Sequence, residues 1–254
     1  MTTRNRLLQY FINTIIVLIC LAFIIKFAGP NILKQYIIYG SGDCKNIPLL
    51  CMQPEESTFE PEINTEYINS LVPHSFPKMR ASVPKGFNVV QELIKKNYYK
   101  KKHNNNEATI YLLCQEPKAF IKLYPAVKKQ GVLNNYDFIH RLNYASLNQI
   151  NNITDAFFII MKSIFTPNIG NQGNAKMIKF ELKNSQGFIS YTMAKPLALA
   201  IGSQTTTSRS NNYFDCNIID ADDNFFKVYI KDIGAHLDLN NVFAIISTLK
   251  SLNN

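Results

Sequence analysis

The spacing of apolar and polar positions along the chain changes character several times, and each change marks an element. The first stretch, Leu7 to Ile25, is apolar nearly throughout, with only Gln9, Asn13 and Thr14 distinctly polar. As a helix it would rise about 28 Å, close to the hydrocarbon thickness of a bilayer. From Ile15 to Ile25 it lacks the polar stripe that a core helix keeps toward water. A transmembrane helix is therefore expected. Lys26-Phe27-Ala28 offers a signal peptidase a poor cleavage edge, so the helix reads as a retained signal anchor over residues 7–28, with residues 1–6 as a cytoplasmic tail. The remainder of such a single-pass membrane protein would be extracytoplasmic, in the periplasm or its equivalent.

Periodicity then disappears. Between Met52 and Pro77 glutamates crowd with Pro54 and Pro61, the composition of a solvated spacer. An acidic extracytoplasmic linker over 29–74 and a folded domain over 75–254 follow from this shift. Within the domain, Met79 to Pro84 and Ala108 to Gln115 read as strands. Asn88 to Tyr99 is ambiguous and is read as a strand that enters a turn at Lys100 to Asn106, and Ala119 to Tyr124 as a further strand. Tyr136 to Gln149 predicts a helix from Phe138, Leu142 and Ala145, with Asn135 as its N-cap. Asp155 to Phe165 predicts another from Phe157, Ile160, Met161 and Ile164, a buried strand being the alternative.

Alternation is cleanest toward the C-terminus. Lys176 to Lys183 turns through Asn184-Ser185-Gln186-Gly187 into Phe188 to Met193, and Tyr213 to Ile219 is joined to Phe225 to Lys231 by Asp220-Ala221-Asp222-Asp223-Asn224. Leu239 to Leu252 closes the chain as an amphipathic helix, with Leu239, Val242, Phe243, Ile246 and Leu249 on one stripe and Asp238 as its cap. The expected fold class is α+β: an N-terminal transmembrane helix, then one antiparallel-sheet domain with packed helices, including the C-terminal amphipathic one.

The Pro84-Lys85-Gly86-Phe87 element, the strand Phe225 to Ile230 and the closing helix from Asn241 to Leu252 are similar to the PsbP family of non-enzymatic lumenal and extracytoplasmic proteins. That resemblance implies an α+β domain that binds or assembles. The layout of short tail, single span and outer α+β domain also resembles the bitopic assembly subunits of bacterial type IV secretion systems. In that family the helices tend to precede the sheet, whereas here an apparent helix closes the domain.

Composition narrows the function classes. A 254-residue chain that is 46% hydrophobic can bury a core, which excludes a disordered protein. The 27 basic against 18 acidic residues permit an acidic partner without requiring one. Lys95, Lys96, Lys100, Lys101 and Lys102, interleaved with Tyr98, Tyr99 and His103, form the dense basic cluster. It reads first as a solvated hairpin tip or guarded edge strand, and alternatively as a surface for an anion or partner. No RNP or KH motif accompanies it, so nucleic acid is not expected.

Beyond Cys20, the residues Cys44, Cys51, Cys114 and Cys216 are candidates for disulfides, with connectivity open. Cys44 and Cys51 bracket a short loop that could close, while Cys114 and Cys216, if reduced, would serve as small core hydrophobes. Asp220, Asp222 and Asn224 look like the start of a calcium loop, but Phe225 stands where such a loop needs Gly and Lys231 where it needs Glu. A polar turn is the expectation. His74, His103, His140 and His236 form no ligand pair in sequence. Ser203 lacks a nucleophile elbow, Gly170 to Gly173 lacks a phosphate-loop lysine, and Asn152-Ile153-Thr154 is a glycosylation triplet.

No metal, cofactor or catalytic residue is therefore expected. The expected role is a membrane-anchored extracytoplasmic binding or assembly module, held by its N-terminal helix and meeting a protein partner in the cell envelope. The alternative is a cell-envelope hydrolase whose site residues are dispersed in sequence. A cavity holding two hydrogen-bonded titratable side chains would favour the hydrolase.

Overall fold

The computed structural model describes residues 14–20, 28–41, 43–45, 47–76, 78–95, 98–105, 107–165, 175–193, 211–233 and 236–252. Its start corrects the largest expectation. Among the described residues no helix is long and apolar enough to cross a membrane. Of the expected span, residues 14–20 are helical and residues 7–13 and 21–27 lie outside the described residues. The single-pass anchor over 7–28 does not stand, nor do the membrane and extracytoplasmic placements that rested on it.

The alternating runs become strands. In chain order they are β1 (Thr58–Phe59), β2 (Val72–Ser75), β3 (Met79–Val83), β4 (Asn88–Lys95), β5 (Tyr98–Asn104), β6 (Ala108–Gln115), β7 (Lys176–Leu182), β8 (Ser185–Thr192), β9 (Asn212–Asp220), β10 (Phe225–Asp232) and β11 (Lys250–Ser251). Eight of them form one sheet in the order β1-β7-β8-β9-β10-β6-β5-β4, and β11-β3-β2 form a second. Every pairing is antiparallel except β1 with β7. The helices are α1 (Gly29–Ser41), α2 (Thr65–Ser70), α3 (Ala119–Leu123), α4 (Asn135–Tyr144), α5 (Ile153–Phe165) and α6 (Leu239–Ser247). The fold is α+β.

Period-two alternation gives the large sheet two apolar faces. On one, Phe214, Cys216, Phe226, Val228 and Leu112 meet α6 and the small sheet through Phe243, Ile246 and Met79. On the other, Ile219, Phe225 and Phe188 meet α3, α4 and α5 through Phe120, Phe138 and Phe158. At Gly187 the second and third strands of this region approach so closely that a Cβ would overlap the backbone carbonyl oxygen of Asn217. Glycine is needed there for space.

Several elements differ from their predicted form, each for a local reason. Residues 100–104 are strand, not turn, because the chain reverses between β4 and β5 and the lysine run is hydrogen-bonded on both sides. Residues 119–123 are helix, not strand. Lys118 takes a left-handed conformation at φ 58° and its N–H donates to Asp223, while the N–H of Phe120 donates to Asn135 Oδ1. The cap of α4 is Asn134, and Asn135 instead donates from its amide to the carbonyls of Glu116 and Asp223.

The closing helix ends at Ser247 because Thr248 donates its hydroxyl to the Ile245 carbonyl and accepts from the Ser82 N–H. That exchange steers Lys250–Ser251 into pairing with β3. In α5 the buried positions include Ala156, Phe158, Ile159 and Met161, whereas Ile160 and Ile164 are exposed. A helix apolar on most sides carries too little contrast to fix which side faces in.

The acidic stretch read as a linker is also structured. It supplies β1, α2 and β2, and Leu71 enters the main core. Upstream, Cys44 and Cys51 form a disulfide with Cα atoms 5.6 Å apart. Ile37 of α1 and Leu50, beside that bridge, pack with Leu147, Ala156 and Ile159. Cys114 and Cys216 are unbridged and buried. With β10 lying between their strands and a two-residue offset in register, they are more than two strand spacings apart, at least about 10 Å, beyond the Cα reach of a disulfide. Burial pushes the Cys114 thiol up to about 12 and raises Cys216 as well, which keeps both inert.

Candidate binding face

Directly opposed residues in a sheet share a face, so the register lays side chains out in rows. One row runs Ser190, Asp215, Tyr229, Tyr111, Lys102 across β8, β9, β10, β6 and β5. The next runs Phe188, Asn217, Lys227, Leu113. Among the described residues, the C-terminal end of α5 covers the second row only in part. Ile164, Phe165, Leu113, Tyr111 and Tyr229 are among the walls of a cavity of about 530 Å³ left beside it, with Lys227 also lining it.

The polar residues of this face are tied to one another. Lys227 Nζ lies 2.6 Å from Asp215 Oδ1 and donates to Asn217 Oδ1 at 3.0 Å and to the Phe165 carbonyl at 3.1 Å. Asp215 is 2% exposed, and burial raises its carboxyl above the usual range while Lys227 opposes that rise. Burial, then the neighbouring Tyr213, Asp215 and Tyr111, pushes the Tyr229 phenol up to about 12. The rings of Tyr111 and Tyr229 sit 5.8 Å apart, and the Lys102 ammonium lies 5.4 Å from the Tyr111 ring centre. A ligand approaching here would meet aliphatic carbon and uncharged phenols, with the Lys227 ammonium paired to Asp215 and donating to Asn217 and Phe165.

Four of the five lysines of the basic cluster take their places from strand pairing. Lys95 ends β4, Lys96 lies outside the described residues, and Lys100 and Lys102 are in register with Leu113 and Tyr111. Lys101 is in register with Leu112, on the alternate set of positions. The calcium-like turn is consumed internally. Asp220 accepts from the N–H groups of Asp222 and Asn224 and from the Asn224 amide, and Asp223 caps α4 by accepting from the N–H groups of Asn135 and Tyr136.

Two of the histidines are brought together in a way their spacing hides. His74 on β2 and the buried His103 on β5 have ring centres 5.1 Å apart, beside Phe76. His140 stacks on Tyr144 at 4.4 Å, and burial lowers its imidazole, helped by Lys179. His236 lies 3.4 Å from Glu107. Among the described residues no three His, Cys, Asp or Glu side chains are grouped to hold a metal. Ser203 and Gly170 to Gly173 lie outside the described residues. Asp215, Asn217, Lys227 and the paired tyrosines were not singled out by sequence. Their only signal is the appearance of Asp and Asn two apart in the otherwise apolar β9 run.

Fold and face together define an α+β protein in which, among the described residues, elements pack against both faces of the central sheet. The chain matches no family model, and no curated protein is similar enough to it to count as a relative.

Proposed function

We propose that this protein is a binding or assembly module that seats a protein partner on the Tyr111–Tyr229 face. The observation that carries this reading is the cavity of about 530 Å³ beside the end of α5, apolar and phenolic on its walls and bordered by Ile164, which is 69% exposed. Aromatic and aliphatic surface framed by polar groups is the chemistry of an interface core. Lys227 and Asp215 are two bonded titratable groups beside the cavity, the arrangement that would favour a hydrolase. Against that role, Asp215 is not among the residues lining the cavity, and no Ser, Cys or His is among the described residues that do. The module reading accounts for both facts. It is also the role that the PsbP-like resemblance implies.

A photo-reactive phenylalanine placed at Ile164 or at Tyr111 tests the proposal in the producing cells. Irradiation should give the same discrete protein adduct from both positions and none from Leu123, an exposed apolar residue at the end of α3. Adducts equal at all three positions, or absent from 164 and 111, would overturn it.

A further inference from the structure

One trio on β9 and β10 goes beyond anything a binding face requires. The Lys227 amine is in contact with both a carboxyl, Asp215, at 2.6 Å and a carboxamide oxygen, Asn217 Oδ1, at 3.0 Å. The Phe165 carbonyl accepts from the same nitrogen at 3.1 Å and holds it in place. Asp215 and Asn217 are 2% and 5% exposed and the Lys227 side chain is 15% exposed, so bulk water competes little for these contacts. The Asn217 backbone is itself fixed by the close approach of Gly187 on β8. A nucleophile, an electrophilic carbonyl and an acid–base group are thus held together in a largely desolvated site, a condition that favours reaction within a molecule.

We propose that Lys227 and Asn217 join in an intramolecular isopeptide bond, with Asp215 as the catalytic residue that moves the protons. The Lys227 ammonium first passes a proton to Asp215, leaving a neutral amine. Burial, which raises the Asp215 carboxyl, makes it a better acceptor for that proton than an exposed aspartate. The amine lone pair then forms a bond to the side-chain carbon of Asn217, and the carbonyl electron pair moves onto Oδ1. Collapse of this intermediate restores the carbonyl and breaks the bond to the amide nitrogen. The two protons lost by Nζ pass in turn through Asp215 to the leaving nitrogen, which departs as ammonium. Asp215 ends as the carboxylate it began as, and no oxidant, reductant or cofactor takes part.

The product is a covalent rung between β9 and β10, at the floor of the binding face and independent of what that face binds. Intact-mass measurement on the full-length folded protein, after reduction of the disulfide, should find it lighter than its sequence by one ammonia. Cleavage at Asp220, Asp222 and Asp223 in the connecting hairpin should leave the β9 and β10 peptides joined through Lys227 and Asn217. Asp215→Asn, which keeps the shape of the side chain but cannot shuttle a proton, should restore the full mass, as should Lys227→Arg. A wild-type protein of full mass would overturn the proposal, whatever the variants do. A mass loss with β9 and β10 peptides that separate would overturn it equally.

Discussion

Lys162 illustrates how much a single residue can hide from sequence reading. It is 2% exposed, and its ammonium donates to the carbonyls of Met52, Asn143 and Ala145 at 2.7, 2.9 and 2.8 Å. One side chain thereby ties the segment after the disulfide and the end of α4 onto α5. Burial pulls its ammonium down to about 7 from 10.5, while the three carbonyls favour the charged form. Above pH 7 the folded protein has begun to release this proton and the unfolded chain keeps it up to 10.5, so the unfolded state binds more protons and stability rises with pH. The melting temperature of the wild type, measured against Lys162→Met, should climb as pH is raised through this window. A constant difference would show that the carbonyls offset the burial. No spacing rule finds such a lysine, because its partners are backbone carbonyls far away in sequence. Asp215 and Asn217 were nearer to legible, since a polar pair in an apolar strand asks for partners, but Lys227 is assigned to them only by the hairpin register.

At the scale of elements, legibility followed the contrast between apolar and polar positions. β7, β9 and β10 were read from alternation, and α6 from its stripe and its Asp238 cap, whose side chain accepts from the Asn241 N–H at 2.8 Å. Short apolar runs without contrast were not readable. Ala119 to Leu123 is helical because Asp223 and Asn135, from outside the segment, organise its first turn. The lysines of β5 lie within strand pairing that no local preference announces, an instance of tertiary context overriding propensity. The stripe of α6 does lie on the sheet. Phe243 is fully buried and its ring stands 5.1 Å from Phe180 and 5.5 Å from Phe59. Phe243→Ala should therefore cost about 3–5 kcal/mol in denaturant unfolding, a large part of a domain's stability. A loss under about 0.5 kcal/mol would mean that the helix is not seated as described.

At the scale of the whole molecule, the segment before residue 75 decides where the folded unit begins. Composition alone suggests a spacer, since acidic residues and prolines mask a few well-placed apolar ones. Yet Leu49 packs with Met177, the Glu55 N–H donates to the Met177 carbonyl, and β1 adds to the outer edge of β7. Leu71 lies in the main core, and β2 carries one side of the three-stranded sheet. The disulfide, with a sequence separation of 7, closes the turn that presents Leu49 and Leu50. By the entropy of so short a loop it contributes about 2–3 kcal/mol. A chain starting at Gly29 should thus melt cooperatively, and one starting at Ser75 should not match it. Removing α1, the disulfide, β1 and most of β2 exposes the β7 edge and strips one flank from α5. Calorimetry on the two truncated chains should show a lower melting temperature and a broadened transition for the shorter. Dithiothreitol should lower the melting temperature of the longer chain and leave the shorter unchanged. Equal melting of both would return residues 29–74 to the role of a spacer, with their strands resting on a domain that does not depend on them.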